Sequence, residues 1–484
     1  MRLSDLMGEK AGSNAALEIT GITADSRDVQ PGFLFAALDG TRMDGARFVA
    51  DAIARGAVAV LAERPLPAPV SAPVSAPVPV IVGQDARRCL ARLAARFYGA
   101  QPETVAAVTG TSGKSSIVWF LRQIWAAEGL RAASLGTLGI QGPDGFSAGS
   151  LTTPDPVALH RDVAALAKDR VTHLALEASS HGLVQRRLDG LRLSGAIFSN
   201  LGHDHLDYHR DRADYLDAKL RLFRDLLPAG APAVINADDA VAYDVIAAAR
   251  DAGLHVVTYG RGEVDFRFSI DAARLDGQTI TISHAGETAT LDLPLVGAFQ
   301  AENVTAAVAL SVSLGSAFRG NLAALPELEG APGRLHLAGS EGNAAAFVDY
   351  AHKPDALAAV LDTLRPLATG RLIVVFGCGG DRDKQKRPMM GAIAAAKADI
   401  AIVTDDNPRN EDPATIRQAI MAACPGGIEI GDRGAAIRHG VSLMQDGDVL
   451  LVAGKGHETG QKVGDVVLPF DDMVVTRDAL GVIA

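Results

Sequence analysis

Thr109-Gly-Thr-Ser-Gly-Lys-Ser-Ser116 sets two glycines, a lysine and a run of hydroxyl residues between the apolar segment Val105 to Val108 and the amphipathic stretch Ile117 to Glu128. That is the setting of a phosphate-binding loop. Gly110, Thr111, Ser112, Gly113, Lys114, Ser115 and Ser116 can turn backbone N–H groups toward an anion at a helix N-terminus, whose dipole adds positive potential. Lys114 would reach terminal phosphates and Ser115 would offer a hydroxyl to Mg²⁺. The pattern is a variant, because the full form has glycine six residues before the lysine, where this chain has Val108. The plainer alternative is a glycine turn carrying a surface lysine.

A second chemical signal is His173-Leu-Ala-Leu-Glu177, an apolar strand ending in a carboxylate that could hold or orient Mg²⁺. Strands also end in exposed acids for no catalytic reason. Asn200-Leu-Gly-His-Asp-His205 follows another apolar run, and its histidines could face a metal or simply be hydrogen-bonded loop residues. Later in the chain three apolar runs each lead into a polar, glycine-bearing loop. These loops are Gly377-Cys-Gly-Gly-Asp-Arg-Asp383, Asp405-Asp-Asn-Pro-Arg409 and Gly454-Lys-Gly-His-Glu458. Ligands bind at the carboxyl ends of strands in open α/β sheets, so the three loops are expected to converge on one site.

The elements needed to position these groups are legible as alternating strand and helix patterns. Short strands at Gly32 to Ala37, Ala57 to Leu61 and Val80 to Val82 indicate a small N-terminal α/β domain ending near Gly99. Strands at Val105 to Val108, His173 to Leu176, Ala196 to Phe198, Ala233 to Ile235 and Val256 to Tyr259 imply a largely parallel sheet. Phe266 to Leu295 alternates around Asp276-Gly277 as an antiparallel hairpin, and an alanine-rich helix is expected from Asn303. Gly330-Ala-Pro-Gly333 marks a boundary before strands at Leu372 to Phe376, Ile400 to Val403 and Leu450 to Ala453. The proline-rich repeat Ala68 to Pro79 reads as an extended surface loop without a catalytic role.

The fold expected is α/β in three domains: a small N-terminal α/β domain over 1–98, a central phosphate-loop (P-loop) ATPase-like, mostly parallel sheet over 99–330, and a C-terminal Rossmann-like domain over 331–484. A length of 484 residues suits about three domains at about 150 residues each. With 46 basic against 57 acidic residues the net charge is −11, which argues against nonspecific nucleic-acid binding and against anionic membranes. Aromatics at 5% are too sparse for a base-stacking platform. No apolar run approaches a membrane span, so no membrane insertion is expected. Met1 to Lys10 lacks a secretory signal pattern, which makes the cytoplasm the expected location. Cys89, Cys378 and Cys424 lack metal-site or disulfide spacing and read as small buried hydrophobes.

These motifs recur in order with several others, and together they resemble the ATP-dependent muramyl-peptide (Mur) ligases. The resemblance runs from Asp25-Ser-Arg27 through the phosphate loop, Thr152-Thr153, Glu177-Ala-Ser-Ser-His-Gly-Leu183, Asp204-His-Leu-Asp-Tyr-His209 and Asp349-Tyr-Ala-His352 to Gly454 to Glu458. Within the family the chain looks most like the branch that adds the third residue of the peptidoglycan stem peptide. The resemblance implies ATP and Mg²⁺ bound by Lys114 and Ser115, with Glu177 and His205 near the metal. It further implies that Lys219 carries CO₂ as a carbamate, an anion able to orient Mg²⁺; read alone, Lys219 would be an exposed helix lysine. Metal contacts would therefore come from Ser115, Glu177, His205 and Lys219, and catalysis from Lys114, Glu177, His205 and Lys219. Asn303, Arg334 and Asp349 match positions that contact the nucleotide, Arg334 after domain closure.

For the UDP-N-acetylmuramoyl-dipeptide substrate, the resemblance assigns Ala24, Ser26, Thr41, Arg42, Met43, Thr152, Thr153, Ser179, Gln185 and Arg187. Asp406-Asn407-Pro408-Arg409 resembles the signature of members that use meso-2,6-diaminopimelate. That amino acid differs from lysine by a distal carboxylate, which Arg409 could bind as a fork, with Arg382 as a second cation. Glu458 and Asp406 would take the distal ammonium, beside Gly454. Alone, the tetrapeptide could be a proline turn with a solvated arginine. Ser112 and Ser115 stand where asparagine and threonine are usual, and both keep a short polar side chain. The implied reaction is ATP-driven amide ligation through an acyl phosphate by a monomer. A lysine-adding member, a folylpolyglutamate-synthase-like ligase and a nucleotide-hydrolysing switch are the alternatives.

Overall fold

The computed structural model describes residues 1–40, 44–66, 78–147, 149, 151–202, 204–205 and 208–481. Thr41, Arg42, Met43, His203 and all of the Ala68 to Pro79 repeat except Val78 and Pro79 lie outside the described residues. The chain divides into two compact units, residues 1–264 with 306–317 and residues 265–305 with 318–484. Among the described residues no helix is long and apolar enough to cross a membrane.

In the first unit, a four-stranded parallel sheet orders Gly21–Thr23, Phe33–Ala37, Ala59–Ala62 and Val80–Val82 side by side. Its alternating side chains feed two cores. Leu34, Ala36 and Leu61 pack with Leu90 and Leu93, while Phe35, Ala37 and Val60 pack with Val49 and Ile53. The helix Ala86–Tyr98 ends on Gly99, whose positive φ stops it.

The larger sheet of this unit runs His255–Gly260, Pro232–Asn236, Gly195–Phe198, Thr104–Thr109, His173–Glu177 and Ala132–Gly136, all parallel. Two antiparallel strands, Gly139–Gly142 and Gly145–Ser147, extend its edge. Val105 to Val108 are fully buried, because a parallel strand covered on both faces must be apolar throughout. Thr104–Thr109 lies between Gly195–Phe198 and His173–Glu177, where the strand order reverses, the position at which open α/β sheets bind ligands.

In the second unit, Ala344–Asp349, Val449–Ala453, Leu372–Phe376, Ile400–Val403 and Ile428–Glu429 form a parallel sheet with His336–Glu341 antiparallel at one edge. Val374 and Phe376 point to helices Pro354–Leu364 and Lys386–Lys397, and Ile373 and Val375 point to helix Arg433–Leu443. Helices thus cover both faces, as the Rossmann-like reading requires.

Several elements differ from the sequence reading. The hairpin over Phe266 to Leu295 is a three-stranded meander, Phe266–Arg274, Gly277–His284 and Glu287–Leu293, because Ala285-Gly286 makes a second turn with both residues at positive φ. The helix expected from Asn303 is Ala298–Ser313 and begins right after Gly297, since Phe299 to Glu302 continue it. Strands Ala132–Gly136 and Ala344–Asp349 were not foreseen; both are rich in alanine, which carries little strand preference. Cys378 and Cys424 are buried as expected, whereas Cys89 is only half-buried.

Candidate active site

The helix Lys114–Ala127 starts on Gly113, which sits in the left-handed region and turns the chain out of the strand. Lys114 Nζ donates to the carbonyls of Gly110 (2.8 Å) and Thr111 (2.9 Å), which holds the ammonium over the loop. The loop is braced from the neighbouring strand end. Ser112 N donates to Asn200 Oδ1 at 2.9 Å, and Ser199 Oγ donates to the Ser112 carbonyl at 2.6 Å.

Ser115 and Glu177 meet beside this loop. Ser115 Oγ donates to Glu177 Oε1 at 2.9 Å, and both side chains are buried. Thr137 supports the same carboxylate, its N donating to Oε1 (2.8 Å) and its hydroxyl to Oε2 (3.3 Å). Gly136 is required here, since a Cβ would stand 2.1 Å from Glu177 Oε1. A hydroxyl and a carboxylate side by side are hard oxygen donors of the kind Mg²⁺ takes together with phosphate oxygens and water, so these residues fit that ion. Among the described residues, no three His, Cys, Asp or Glu side chains gather closely enough to hold a metal by themselves.

Lys219 rides on helix Arg212–Arg221, capped by Asp211, which accepts from Asp214 N at 2.8 Å. It is 1% exposed, against the default for a helix lysine. Its Nζ donates to the Gly110 carbonyl at 2.7 Å and lies 4.3 Å from the centre of the Tyr215 ring. Lys114 and Lys219 therefore share one carbonyl. Burial first, and the charge of Lys114 second, lower the Lys219 pKa well below the usual lysine range. Tyr215, pushed up to about 12 by burial, hydrogen-bonds Thr111 Oγ1 at 3.2 Å. His205 packs in a ring cluster with His181 (4.8 Å) and Tyr215 (6.0 Å), its Nε2 3.4 Å from Asp204 Oδ2.

Next to Glu177 the expected dipeptide-binding residues form one network. Thr152 Oγ1 bonds Thr137 Oγ1 at 2.9 Å, Thr153 Oγ1 donates to the Glu177 carbonyl at 2.7 Å, and Ser179 donates to Thr153 Oγ1 through N and Oγ, both at 3.0 Å. Arg187 donates to the Thr153 carbonyl and to Gln185 Oε1. Ala24 is exposed and Ser26 buried just past strand Gly21–Thr23; Asp25 there pairs with Arg27, which holds its carboxyl down at about 2.

In the second unit, Asn303 Nδ2 donates to Gln300 Oε1 (3.5 Å) and Gln300 Nε2 to the Arg334 carbonyl (3.3 Å). The Arg334 guanidinium lies 4.7 Å from the Tyr350 ring centre, and Asp349 accepts from Leu335 N and Ala351 N at 2.6 and 2.7 Å. Burial raises the Asp349 pKa, with Arg334 opposing. The three expected nucleotide residues are thus neighbours, joined by Gln300 and Tyr350.

The three glycine-bearing loops converge as expected. Gly380 N donates to the Asn407 carbonyl at 2.9 Å, Arg409 Nη1 to the Gly380 carbonyl at 2.8 Å, and Asn407 Nδ2 to Glu458 Oε2 at 2.8 Å. Arg409 holds φ +52, a strained conformation for a residue with a side chain, fixed by its N bonding the Lys462 carbonyl and its carbonyl accepting from Gly464 N. Gly454 admits the Asp406 carboxylate, which would lie 2.7 Å from a Cβ there. Pro408 is buried, and Arg382 is exposed at the loop tip.

Sequence reasoning missed Thr137, Tyr215, Gln300 and Lys455. Thr137, Tyr215 and Gln300 carry no motif of their own. Lys455 sits in Gly454-Lys-Gly-His-Glu458, between two glycines after an apolar strand, but its complete burial is visible only in the fold.

A strand, phosphate loop and helix beside a strand-end carboxylate define a phosphate-loop nucleotide enzyme. Family models match in sequence: Mur ligase family, catalytic domain, over residues 18–98; Mur ligase middle domain over 108–311; and Mur ligase, glutamate ligase domain, over 333–456. A Rhizobium meliloti (strain 1021) protein named UDP-N-acetylmuramoyl-L-alanyl-D-glutamate--2,6-diaminopimelate ligase is 52% identical, covering 99% of this chain and 100% of its own. The protein of the same name from Agrobacterium fabrum (strain C58 / ATCC 33970) is 54% identical, with 96% of this chain and 94% of that one covered. A solved structure of a ligase of that name superposes with a TM-score of 0.73 at 34% identity, covering 99% of both chains. The chain belongs to the Mur ligase family of ATP-dependent amide ligases. That membership sets aside the switch and folylpolyglutamate-synthase readings.

Proposed function

We propose that this ligase joins meso-2,6-diaminopimelate to UDP-N-acetylmuramoyl-L-alanyl-D-glutamate in peptidoglycan precursor synthesis, acting as a cytoplasmic monomer. The observation that carries the amino-acid assignment is Arg409, held with its backbone pinned and its guanidinium on the carbonyl of Gly380, whose N in turn bonds the Asn407 carbonyl. A guanidinium suits the distal carboxylate of diaminopimelate, and would gain nothing from the lone distal ammonium of lysine. The names of relatives about half identical over nearly the full chain agree with it.

A carboxylate resists amine attack because its oxygen is a poor leaving group. In the proposed reaction the D-glutamate side-chain carboxylate attacks the γ-phosphorus of ATP, ADP departs, and an acyl phosphate forms. The diaminopimelate amine then adds to the acyl carbon and phosphate leaves. Lys114 and the loop N–H groups orient the phosphates, and the work is positioning and charge neutralisation. Mg²⁺, held by Ser115 and Glu177, would neutralise phosphate charge. Burial and Lys114 favour the neutral Lys219 amine, the form that takes up CO₂ to give a carbamate. Thr152, Thr153, Ser179, Gln185 and Arg187 would hold the dipeptide beside Glu177, with Ala24, Ser26 and Thr41 to Met43 on the nucleotide-sugar. Asn303 of domain 99–330 and Arg334 and Asp349 of domain 331–484 would contact the nucleotide, the remaining domain being 1–98.

ADP release with UDP-N-acetylmuramoyl-L-alanyl-D-glutamate and either diaminopimelate, L-lysine or no amino acid tests the reading. Release with diaminopimelate alone is expected. Release with lysine alone would make the chain a lysine-adding member.

A further inference from the structure

Lys455 is 0% exposed, and a lysine is almost never fully buried unless its charge is matched. Its ammonium has three protons, and three acceptors surround it: Asn407 Oδ1 at 3.1 Å, Glu458 Oε2 at 3.0 Å and the Gly460 carbonyl at 2.6 Å. Asn407 closes the triangle. Its Oδ1 also accepts from Lys462 N at 2.9 Å, so its amide is fixed with Nδ2 toward Glu458 Oε2. Both donors to Glu458 use Oε2, which leaves Oε1 of this side chain, 33% exposed, for a ligand.

Charge makes this more than a brace. The converged loops carry three cations, Arg382, Arg409 and Lys455, and five carboxylates, Asp381, Asp383, Asp405, Asp406 and Glu458. Asp381 and Asp383 are exposed like Arg382, and Asp405 is matched by Arg417, which leaves two cations, Lys455 and Arg409, and two carboxylates, Asp406 and Glu458. Arg433 is cancelled separately by Asp472, at 2.7 Å with both side chains fully buried. Arg382 is exposed, where solvent screens it. The pocket is thus neutral overall, as is the distal end of diaminopimelate, which carries one ammonium and one carboxylate. The distal end of lysine carries a bare positive charge. We propose that Lys455 is a positioning and specificity-determining residue: it aims Glu458 through the triangle with Asn407 and neutralises the pocket so that the zwitterionic end of diaminopimelate is preferred over lysine. This rests on the diaminopimelate reading above.

The test uses the full-length enzyme with saturating ATP and nucleotide substrate, titrating meso-diaminopimelate or L-lysine and following ADP release. Lys455→Gln is expected to raise KM for diaminopimelate at least tenfold, to leave KM for ATP unchanged, and to lower the diaminopimelate-to-lysine ratio of kcat/KM at least tenfold. Lys455→Arg keeps the charge and should keep that ratio within a few fold. An unchanged ratio in Lys455→Gln, or a kcat loss with all KM values intact, overturns the proposal. Should Lys455→Gln fail to fold, Glu458→Gln replaces it: the pocket is then positive by one, and the ratio must rise, an unchanged or lower ratio being the contradicting result. Wild-type enzyme with no diaminopimelate-dependent turnover would instead overturn the reading on which this rests.

Discussion

Ser115 Oγ donates to Glu177 Oε1 across 2.9 Å, tying the first turn of the phosphate-loop helix to the end of the adjacent strand. The bond joins two residues 62 positions apart. Glu177→Gln keeps an acceptor for Ser115 and Thr137 while removing the charge. The variant should fold normally, lose on the order of 100-fold or more in kcat, and need higher Mg²⁺ for half-maximal rate. Steady-state kinetics against Mg²⁺ with circular dichroism as the folding control checks this.

Lys219 is buried against the Gly110 carbonyl and Tyr215. Lys219→Ala should be nearly inactive, and Lys219→Glu should recover part of the rate, because it restores an anion at reduced reach. Full activity in Lys219→Ala would remove the carbamate from the account. Intact-mass measurement of the wild type under native conditions should show an added 44 Da, the mass of CO₂.

Arg409 should govern amino-acid affinity rather than the phosphoryl step. Arg409→Ala is expected to cost about 2 to 3 kcal/mol of diaminopimelate binding, an increase in KM of roughly 30- to 150-fold, while KM for ATP stays put. Arg409→Lys should recover little, since an ammonium cannot form the two-pronged bond.

Acid should destabilise the second unit through His352 and His457. Burial holds both imidazoles down at about 4, against an ordinary 6.5, and the Nδ1 of His352 bonds the Tyr350 carbonyl at 2.8 Å. Unfolded, each takes a proton near pH 6.5; folded, only near pH 4. Their contribution is therefore complete above pH 6.5 and is lost as pH falls toward 4. By pH 5 the loss should be about 2 kcal/mol for each. Urea titrations at pH 7 and pH 5 measure it, and His352→Gln should show the weaker pH dependence.

Much of the site was legible because its parts are local. The phosphate loop announces itself within eight residues, and its strand and helix neighbours carry ordinary patterns. Glu177 could be read only as an acid at a strand end; its burial depends on Gly136 and Thr137, which reach it from a strand that sequence reasoning did not foresee. Lys219 and Lys455 were opaque for one reason. A lysine's exposure is decided by distant acceptors, here the Gly110 carbonyl for one and Asn407 for the other. The convergence of the three C-terminal loops was deducible from the rule that open α/β sheets bind ligands at the carboxyl ends of their strands, whereas the bonds of Arg409 to the Gly460–Val463 and Val466–Pro469 hairpin were not.

The most direct test of the ligation account follows one oxygen atom. UDP-N-acetylmuramoyl-L-alanyl-D-glutamate labelled with ¹⁸O in the D-glutamate side-chain carboxylate is incubated with enzyme, ATP and diaminopimelate, and phosphate and product are weighed. The account predicts a product heavier by one diaminopimelate residue and inorganic phosphate that carries one ¹⁸O, formed only when the amino acid is present. Unlabelled phosphate, or release that ignores the amino acid, would contradict it.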